Sequence, residues 1–395
     1  MPPLRCLYLY PVLLARHISS KRGLWRCRFC FIIASLISLG TGCSDKQPLN
    51  PSLSAVDTPP IPTESAPNTY TATPPQQIAA SIQAVDSASS IGLSRFTYSE
   101  RIMATDFKLI LYAAKPETAD QAAKAAIQRI QAINAIFSDY DDDAELFKLS
   151  KQAGAGPIAI SPELIQLLQT CSVLHEQSQG AFDPTLGPLS VLWRQAQWAK
   201  ALPSPEQIES RLSVVGMQRL KFDLAKQTVT LPLKRMRLDL GGIAKGAAAD
   251  EGLRILAQHG ITSALIDAGG DLAMAAPPPG ETGWRVGIED AAISTRRFSH
   301  CGVASSGASQ RFVEANGLRY SHILDPRTGL GVTHGWQVTV IASNGTLADG
   351  WASALSVLGK EQGLIAAKAA KVENIWTQAA YTSDKTPATQ GSSDE

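Results

Sequence analysis

The sequence predicts an α+β fold in which mixed or antiparallel sheets pack against helices. Segments with strand-like alternation outnumber segments with helical periodicity, and the two kinds do not alternate as they do in βαβ proteins. The run RFVEANGLRYSHIL also carries an Asn-Gly pair at its centre, which is typical of a hairpin between antiparallel strands.

The first elements follow from residue spacing. FTYSERIMATDFKLILYA alternates like one long strand or two paired strands. The next run, PETADQAAKAAIQRIQAINAIFSDY, predicts an amphipathic helix because isoleucines recur at helical spacing after an acidic first turn. These isoleucines are Ile127, Ile130, Ile133 and Ile136. A second helix is predicted over residues 161–179, with Cys171 buried in it.

The second half of the domain is richer in turns. GAFDPTLGPLSVLW is interpreted as irregular, because glycine and proline interrupt its pattern, and QRLKFDLAKQTVTLPL predicts a strand pair. RLDLGGIAKGAAADEGLRILAQHG predicts a strand end, a double-glycine turn and a helix. TSALIDAGGDLAM predicts a buried strand that ends in a second double glycine. Strands are also predicted in WRVGIED, GVASSG and WQVTVIAS, and TLADGWASALSVLGKEQGLIAAKAA predicts a closing helix.

Composition narrows the function classes. The chain has 395 residues, 44% of them hydrophobic, which is ample material for a core. Its 36 Lys and Arg nearly balance 35 Asp and Glu, so it lacks the basic field that draws nucleic acid. The sequence therefore predicts a globular protein that does not bind nucleic acid.

The N-terminus predicts export. Basic residues precede the apolar run FCFIIASLISLG, which stops at TGC, so residues 1–42 are interpreted as a signal peptide. The small residues before Cys43 resemble a bacterial lipobox, which predicts lipidation of Cys43 and a position on the periplasmic side of a bacterial membrane. With Ser44 next, the inner leaflet of the outer membrane is favoured over the inner membrane. A plain signal peptide with a chance cysteine is the alternative.

Three further regions follow from composition. Residues 43–94 are rich in Pro, Thr and Ser, and they predict a disordered tether that follows the lipid-anchored cysteine. Residues 95–380 form the predicted folded domain, and residues 381–395 a disordered tail. With the leader removed, Cys171 and Cys301 are the only cysteines left besides Cys43, which indicates neither a disulfide scaffold nor a cysteine metal site.

Two stretches suit ligand chemistry. In LDLGGIAKG, the glycines let the backbone approach a ligand, the helix N-terminus favours an anion, and Lys245 lies in the first turn. In LADGWASAL, Asp349 and Ser353 stand four residues apart on one helix face, and their oxygens suit a hard cation such as Mg²⁺. The alternatives are a tight strand-to-helix turn in the first stretch and, in the second, an exposed first-turn Asp349 with Thr346 as cap.

Two turns carry less decisive signals. AFDP, with Asp183 before proline, also fits a plain Asx turn. RYSHILDPRTG is a proline turn in which Asp325 can bond its own backbone. His322 is the less ordinary member, because an imidazole at a strand end can act as a base, although a lone histidine is more often structural.

The order of these stretches carries more information than any one of them. From Met103 to Ala369 the chain resembles the ApbE family of FAD:protein FMN transferases. The landmarks that carry the resemblance are RIMAT, SDYDDDAELFKL, GAFDPTLGPLSVLW, LDLGGIAKG, LIDAGGD with WRVGIED, ASSG, RYSHILDPRTG and ADGWASAL. The resemblance implies a T-fold-like single catalytic domain, of one lobe or two.

The resemblance also implies roles for single residues. His322 and Asp349 would be catalytic, and the oxygens of Gly242, Asp349, Ala352 and Ser353 would hold Mg²⁺. The residues implied for the FAD site are Met103, Tyr140, Ala181, Phe182, Asp183, Asp239, Lys245, His322 and Ile323. The chain departs from the family where Ser353 replaces a common Thr and where Ala104 replaces a common Gly.

The implied reaction is a Mg²⁺-dependent transfer of FMN from FAD to a Thr or Ser hydroxyl of another flavoprotein, with release of AMP. Subunits of respiratory Na⁺ pumps and related exported flavoproteins are the implied acceptors. Two rivals remain open at this stage. One is a Mg²⁺-dependent FAD pyrophosphatase that uses water as acceptor, and the other is a non-catalytic FAD-binding lipoprotein.

Overall fold

A computed structural model of the chain describes residues 92–288, 294–307, 312–315 and 317–378. The predicted signal peptide, Cys43, nearly all of the predicted tether and the predicted tail lie outside the described residues. Helices and antiparallel strands alternate irregularly through the described residues, as the α+β prediction requires.

The helices are α1 (Pro116–Phe137), α2 (Glu145–Lys151), α3 (Pro162–Gln177), α4 (Gly187–Ala199), α5 (Pro205–Leu212), α6 (Ala244–Gln258) and α7 (Gly345–Ala370). The strands are β1 (Ser94–Ile102), β2 (Thr105–Ala113), β3 (Pro157–Ala159), β4 (Lys221–Asp223), β5 (Thr228–Thr230), β6 (Ala264–Ala268), β7 (Leu272–Met274), β8 (Trp284–Ile288), β9 (Ser294–Phe298), β10 (Cys301–Gly307), β11 (Phe312–Ala315), β12 (Leu318–Ser321), β13 (Trp336–Ala342) and β14 (Glu373–Gln378).

One antiparallel sheet organises the domain. Its seven strands lie in the order β1-β2-β6-β7-β10-β13-β14, and each neighbouring pair is antiparallel. β1 and β2 form a hairpin whose two turn residues, Met103 and Ala104, both have positive φ, at 52° and 59°. Two turn residues of this kind match the right-handed twist of the strands that they join. β6 and β7 lie between this hairpin and the remaining strands of the sheet, β10, β13 and β14.

Helices cover one face of this sheet. α1 buries Ile127, Ile130 and Ile133 in the main core, and burying each such side chain contributes about 1.5–3 kcal/mol. α1 packs on α6, α6 packs on α7, and α7 lies over β10 and β13. The isoleucines whose helical spacing predicted α1 thus lie on the face of the helix that contacts the core.

The other face of the sheet is covered by the β8–β9 hairpin. Trp284, Val286 and Ile288 alternate inward from β8 and pack on Leu265 and Val303 of the large sheet. Both faces of the sheet's centre are therefore buried, which leaves its edges and the ends of its strands for binding.

A smaller cluster lies under α4 and α5. Leu189 and Trp193 of α4 pack with Val313 of β11 and Leu324. The interpretation of GPLSVLW as irregular is wrong, because α4 begins at Gly187 with Pro188 in its first turn. A proline there starts a helix rather than breaking one, because the first N–H groups of a helix have no intrahelical acceptor. The domain also does not end in helix, since β14 follows α7 and pairs with β13.

The first turns of α6 and α7 cross at very close range. A Cβ placed on Gly246 would lie 2.1 Å from the carbonyl oxygen of Gly345, so only glycine allows this approach. Asp250 of α6 accepts hydrogen bonds from the backbone N–H groups of Gly345 and Thr346, both at 2.8 Å, and from the Thr346 hydroxyl. Asp250 thereby supplies hydrogen-bond acceptors for the first N–H groups of α7, which have no acceptor within their own helix, and connects α6 to α7.

Among the described residues, no helix combines the length and the apolar character needed to cross a membrane.

Candidate functional site

Asp349 lies buried between α6 and α7. Its side chain is in the second turn of α7, and its Oδ2 accepts a hydrogen bond from the Gly246 N–H at 3.0 Å. Only 5% of the residue is exposed. The alternative of an exposed first-turn Asp349 with Thr346 as the cap is therefore wrong, because Asp349 is buried and Asn344 caps α7 by accepting from the Leu347 N–H. The carboxylate of Asp349 lies at the N-terminus of α6, where the sequence predicts that an anion is favoured.

Lys245 joins Asp349 to a second carboxylate. The Lys245 ammonium lies 3.8 Å from Asp349 Oδ1 and forms an ion pair with Asp271. Asp271 follows the glycine turn between β6 and β7 and is itself buried. Burial opposes the charge of Lys245, but the two carboxylates outweigh it and raise the pKa of Lys245. The cluster thus carries one firmly protonated cation between two buried carboxylates.

The ionised form of Asp349 is costly in this position. Burial, with Asp271 adding like charge, raises the pKa of Asp349 to about 7, although Lys245 and the backbone N–H of Gly246 act in the opposite sense. A further cation beside Asp349 would offset the cost of burying its charge. Buried carboxylates with a raised pKa occur at functional sites as well as in structural ion-pair networks.

Ser353 and Gly242 supply further oxygens beside this cluster. The Ser353 hydroxyl donates to the carbonyl oxygen of Gly242 at 3.1 Å, one helical turn beyond Asp349. A Cβ on Gly242 would lie 2.8 Å from Ser353 Oγ and 3.6 Å from the ring of Phe182, so this glycine is enclosed by both side chains. Ala352 is buried next to Ser353 on α7.

These donors fit a hard cation. α7 presents Asp349 and Ser353 to the same short segment, residues 242–246, so carboxylate, hydroxyl and carbonyl oxygens lie near one another. Oxygen ligands of this kind are the ones that Mg²⁺ prefers. No group of three or more His, Cys, Asp or Glu side chains in the described ranges is arranged to hold a metal. A cation here would therefore depend on carbonyl and hydroxyl oxygens as well as on carboxylate.

Arg194 connects Tyr140 and Asp239. Its guanidinium carbon lies 4.0 Å from the centre of the Tyr140 ring, and its Nη2 donates to Asp239 Oδ2 at 3.2 Å. Both of its terminal nitrogens also donate to Asp139 Oδ2 at 2.9 Å. Asp239 Oδ1 accepts from the Gly241 N–H at 2.8 Å, so the same carboxylate holds the double-glycine turn.

The AFDP segment lies against that turn. The Asp239 N–H donates to the carbonyl oxygen of Pro184 at 2.7 Å. Asp183 is buried, and its carboxylate accepts from the Thr185 N–H and hydroxyl and from the Met217 N–H. His175 lies 3.4 Å from the same carboxylate. The Asp183 side chain therefore holds its own loop, as the Asx-turn alternative states, and Phe182 and Ala181 are buried beside it.

Met103 lies at the tip of the β1–β2 hairpin, close to the turn that carries Asp271. A Cβ on Gly269 would lie 2.1 Å from the Thr105 hydroxyl oxygen, so the two turns are in direct contact. Met103 itself packs against the main core.

His322 lies at the start of a turn that is anchored on α4. The residue directly follows β12, and it is exposed. Beyond it, Asp325 and Arg327 form a two-bonded ion pair at 2.8 Å, which confirms that the DPRTG residues hold the turn. The Trp193 indole N–H donates to the Gly329 carbonyl oxygen at 2.8 Å. Ile323 is half-buried, and its N–H donates to the Ser321 hydroxyl.

Sequence reasoning assigned no role to Asp271, Arg194 or Asp139. Asp271 stands in the LIDAGGD landmark directly after two glycines, which is a signal that could have singled it out. Arg194 follows the misread GPLSVLW segment, and only the recognition of α4 would have placed it on a helix face. Asp139 precedes Tyr140 in a run of acidic residues, where nothing in the sequence distinguishes it.

Comparison with known proteins shows the family of this chain. The family model described as the ApbE family matches residues 103–376, which include every element from the β1–β2 turn to β14. The chain belongs to the ApbE family.

Relatives of this ApbE protein share one name. A Treponema pallidum (strain Nichols) protein named FAD:protein FMN transferase is 32% identical over 291 residues, which cover 68% of this chain and 80% of the relative. A Vibrio cholerae protein of the same name is 28% identical over 274 residues, covering 67% of this chain and 81% of the relative. These relatives are transferases.

Solved ApbE structures share the fold. The apo form of the Pseudomonas stutzeri flavinyl transferase ApbE superposes with a TM-score of 0.67 at 25% identity, covering 74% of this chain and 97% of that one. The ApbE protein of Thermotoga maritima gives a TM-score of 0.66 at 26% identity, covering 73% and 97%. The predicted ApbE-like arrangement of helices and antiparallel sheet is confirmed.

Proposed function

We propose that this ApbE chain is a Mg²⁺-dependent FAD:protein FMN transferase. It moves FMN from FAD to a Thr or Ser hydroxyl of a target flavoprotein and releases AMP. The observation that carries the proposal is the convergence of Asp349 and Ser353 on the segment from Gly242 to Gly246, with Lys245 beside it. The names of the relatives support the choice of substrate.

Four oxygen donors would hold the cation. They are the carbonyl oxygens of Gly242 and Ala352, the hydroxyl of Ser353 and the carboxylate of Asp349. When bound, Mg²⁺ would neutralise negative charge on the FAD pyrophosphate. Lys245 would add a fixed positive charge at the same pyrophosphate, because Asp271 holds its ammonium in place.

The FAD site would be assembled from several turns around this cluster. Tyr140 and Asp239 are linked through Arg194, and Phe182 borders Gly242. Asp183 would act through its loop, because its carboxylate is already bonded to the backbone and to Thr185. The proposed FAD residues are Met103, Tyr140, Ala181, Phe182, Asp183, Asp239, Lys245, His322 and Ile323.

The chemical step is a substitution at phosphorus. The acceptor hydroxyl oxygen attacks the FMN-side phosphorus, a new phosphoester bond forms, and the bond from that phosphorus to the bridging oxygen of the pyrophosphate breaks. AMP leaves with that bridging oxygen. His322 would act as the base or the orienter of the attacking hydroxyl, with an aspartate as the rival candidate, and α4 and the Asp325–Arg327 pair hold the turn that carries it.

The deciding experiment supplies FAD, Mg²⁺ and a candidate acceptor, such as an exported flavoprotein or a Na⁺-pump-type subunit, and measures acceptor mass. The expected result is a mass gain of one FMN on a Thr or Ser. Free FMN and AMP without any adduct would instead support the pyrophosphatase, and bound but unconsumed FAD would support a binding lipoprotein.

Asp349→Ala tests the metal assignment in the same assay. We expect the variant to lose Mg²⁺-dependent transfer, because the only carboxylate among the four donors is gone. Glu361→Ala, which removes an exposed carboxylate from the same helix, is the matched control and should keep full activity. Full transfer by Asp349→Ala would remove Asp349 from the metal site.

We further propose that Cys43 is lipidated and anchors the domain on the periplasmic side of a bacterial membrane, in the inner leaflet of the outer membrane. The small residues before Cys43 and the Pro-, Thr- and Ser-rich segment after it support this proposal. Mass spectrometry of the mature N-terminus is the test, and an unmodified Cys43 peptide would overturn it.

A further inference from the structure

Arg194 joins three segments that are distant in sequence. It extends from α4, bonds Asp139 and Asp239, and lies over the ring of Tyr140. Its two carboxylate partners are nearly buried, with 7% and 13% of their side chains exposed. One guanidinium therefore fixes the loop after α1 and the turn before α6.

The Tyr140 ring lies beside this guanidinium. The residue is 71% exposed, so core packing alone does not define the position of its side chain. The guanidinium carbon lies 4.0 Å from the ring centre, a distance at which a cation and an aromatic ring attract each other. Arg194 therefore contributes to the orientation of this aromatic surface.

Asp239 connects Arg194 to the double-glycine turn. Asp239 Oδ2 accepts a hydrogen bond from Arg194, and Asp239 Oδ1 accepts one from the Gly241 N–H, so the guanidinium holds one end of this turn through Asp239. Burial and the nearby Asp239 raise the pKa of Asp139, and Arg194 and Arg237 counteract both. Without Arg194, Asp139 would keep Arg237, which lies 3.7 Å from its Oδ2, but Asp239 would lose its bond to the guanidinium, and the end of the double-glycine turn would be held less firmly.

We propose that Arg194 is a positioning residue for the flavin nucleotide, which aligns the Tyr140 ring with the Asp239 turn before the nucleotide binds. This inference rests on the proposed function, since Tyr140 and Asp239 are FAD residues only within it. The role differs from catalysis, because both terminal nitrogens of Arg194 are already committed to carboxylates.

Arg129 is a matched control for the loss of an ion-pair network. It also bonds two carboxylates, Glu163 at 2.8 Å and Glu251 at 2.9 Å, and 23% of its side chain is exposed against 32% for Arg194. It joins α1, α3 and α6, and it contacts none of the proposed FAD residues through these bonds. A merely structural effect should be the same for Arg194→Met and Arg129→Met.

The test titrates FAD fluorescence with each variant and measures KM and kcat for FAD in the transfer assay. We expect Arg194→Met to raise Kd and KM for FAD about tenfold, which corresponds to about 1.4 kcal/mol of binding free energy. The change in kcat should be smaller, because Arg194 acts through the nucleotide-binding residues and not on the reacting atoms. Arg194→Lys should recover only part of the loss, because an ammonium cannot reproduce the planar fork. Arg129→Met should leave Kd unchanged.

Three results would speak against the inference. An unchanged Kd in Arg194→Met, or an equal loss in Arg129→Met, would overturn it while the proposed function stands. No FAD binding by the wild-type chain would overturn the proposed function itself. If Arg194→Met does not fold, Arg194→Lys compared with Arg129→Lys decides by the same criterion.

Discussion

Gly246→Ala tests whether the close crossing of α6 and α7 builds the site. The added Cβ would lie 2.1 Å from the Gly345 carbonyl oxygen and 2.9 Å from the Thr346 nitrogen, where ordinary contact begins at 3.4 Å. Both obstacles are backbone atoms, so the two helices must separate by about 1.3 Å, which is the difference between 3.4 and 2.1 Å. The bond from Gly246 N–H to Asp349, 3.0 Å long in the wild type, would then be lost.

The expected change in the free energy of unfolding follows from three effects. Overpacking costs about 1–3 kcal/mol, and losing a hydrogen bond to a charged group costs about 1.5–3 kcal/mol. Alanine in place of glycine inside a helix returns about 1 kcal/mol. We therefore expect Gly246→Ala to destabilise the domain by roughly 1.5–5 kcal/mol and to weaken Mg²⁺-dependent transfer.

Urea unfolding and the transfer assay measure the two effects, and Gly252→Ala on the same helix is the matched control. Its Cβ would lie 2.5 Å from Ile266 Cδ1, 2.9 Å from Ile130 Cδ1 and 3.3 Å from Ile130 Cγ1, and these nearest atoms belong to side chains that can shift, unlike the backbone atoms that face Gly246. We expect Gly252→Ala to stay within about 1 kcal/mol of wild type and to keep its activity. A Gly246→Ala variant as stable and as active as Gly252→Ala would refute the reasoning.

Two further predictions concern stability. Ala104 has φ of 59° in a turn where glycine carries no such penalty, so Ala104→Gly should raise the free energy of unfolding by about 1 kcal/mol in urea titrations, and a loss of stability would contradict the assigned turn. His334 lies against the break of α7 at Gly359, and both of its ring nitrogens are buried without a hydrogen-bond partner among the described residues. Burial lowers the pKa of His334 below 6.5, so the unfolded chain binds the proton more tightly than the folded one. Stability should therefore be complete above about pH 6.5 and fall as the pH drops from there towards the folded pKa, and His334→Phe should flatten this pH dependence of the free energy of unfolding. An equal slope in both proteins would exclude His334 as the cause.

Local sequence patterns determined much of the fold. The isoleucine spacing of α1, the buried run of α3 and the Asn-Gly hairpin of β11 and β12 are all properties of neighbouring residues, and the structure confirms each of them. The ordered landmarks likewise determined the family. The misread start of α4 was also a local signal, since Pro188 in a first turn marks a helix start.

The site itself was decided by tertiary structure. Asp349 and Gly246 are separated by 103 positions, and no periodicity relates them. Whether Asp349 is an exposed first-turn residue or a buried carboxylate depends on the close crossing of α6 and α7, which in turn depends on two glycines meeting across it. Arg194 and Asp239 become partners only because α4 is placed beside the turn that leads into α6. The sequence by itself determined which residue types were present. The packing of elements that are distant in sequence decided which of these residues form ion pairs, which supply oxygen atoms to the same proposed metal site and which contact an aromatic ring.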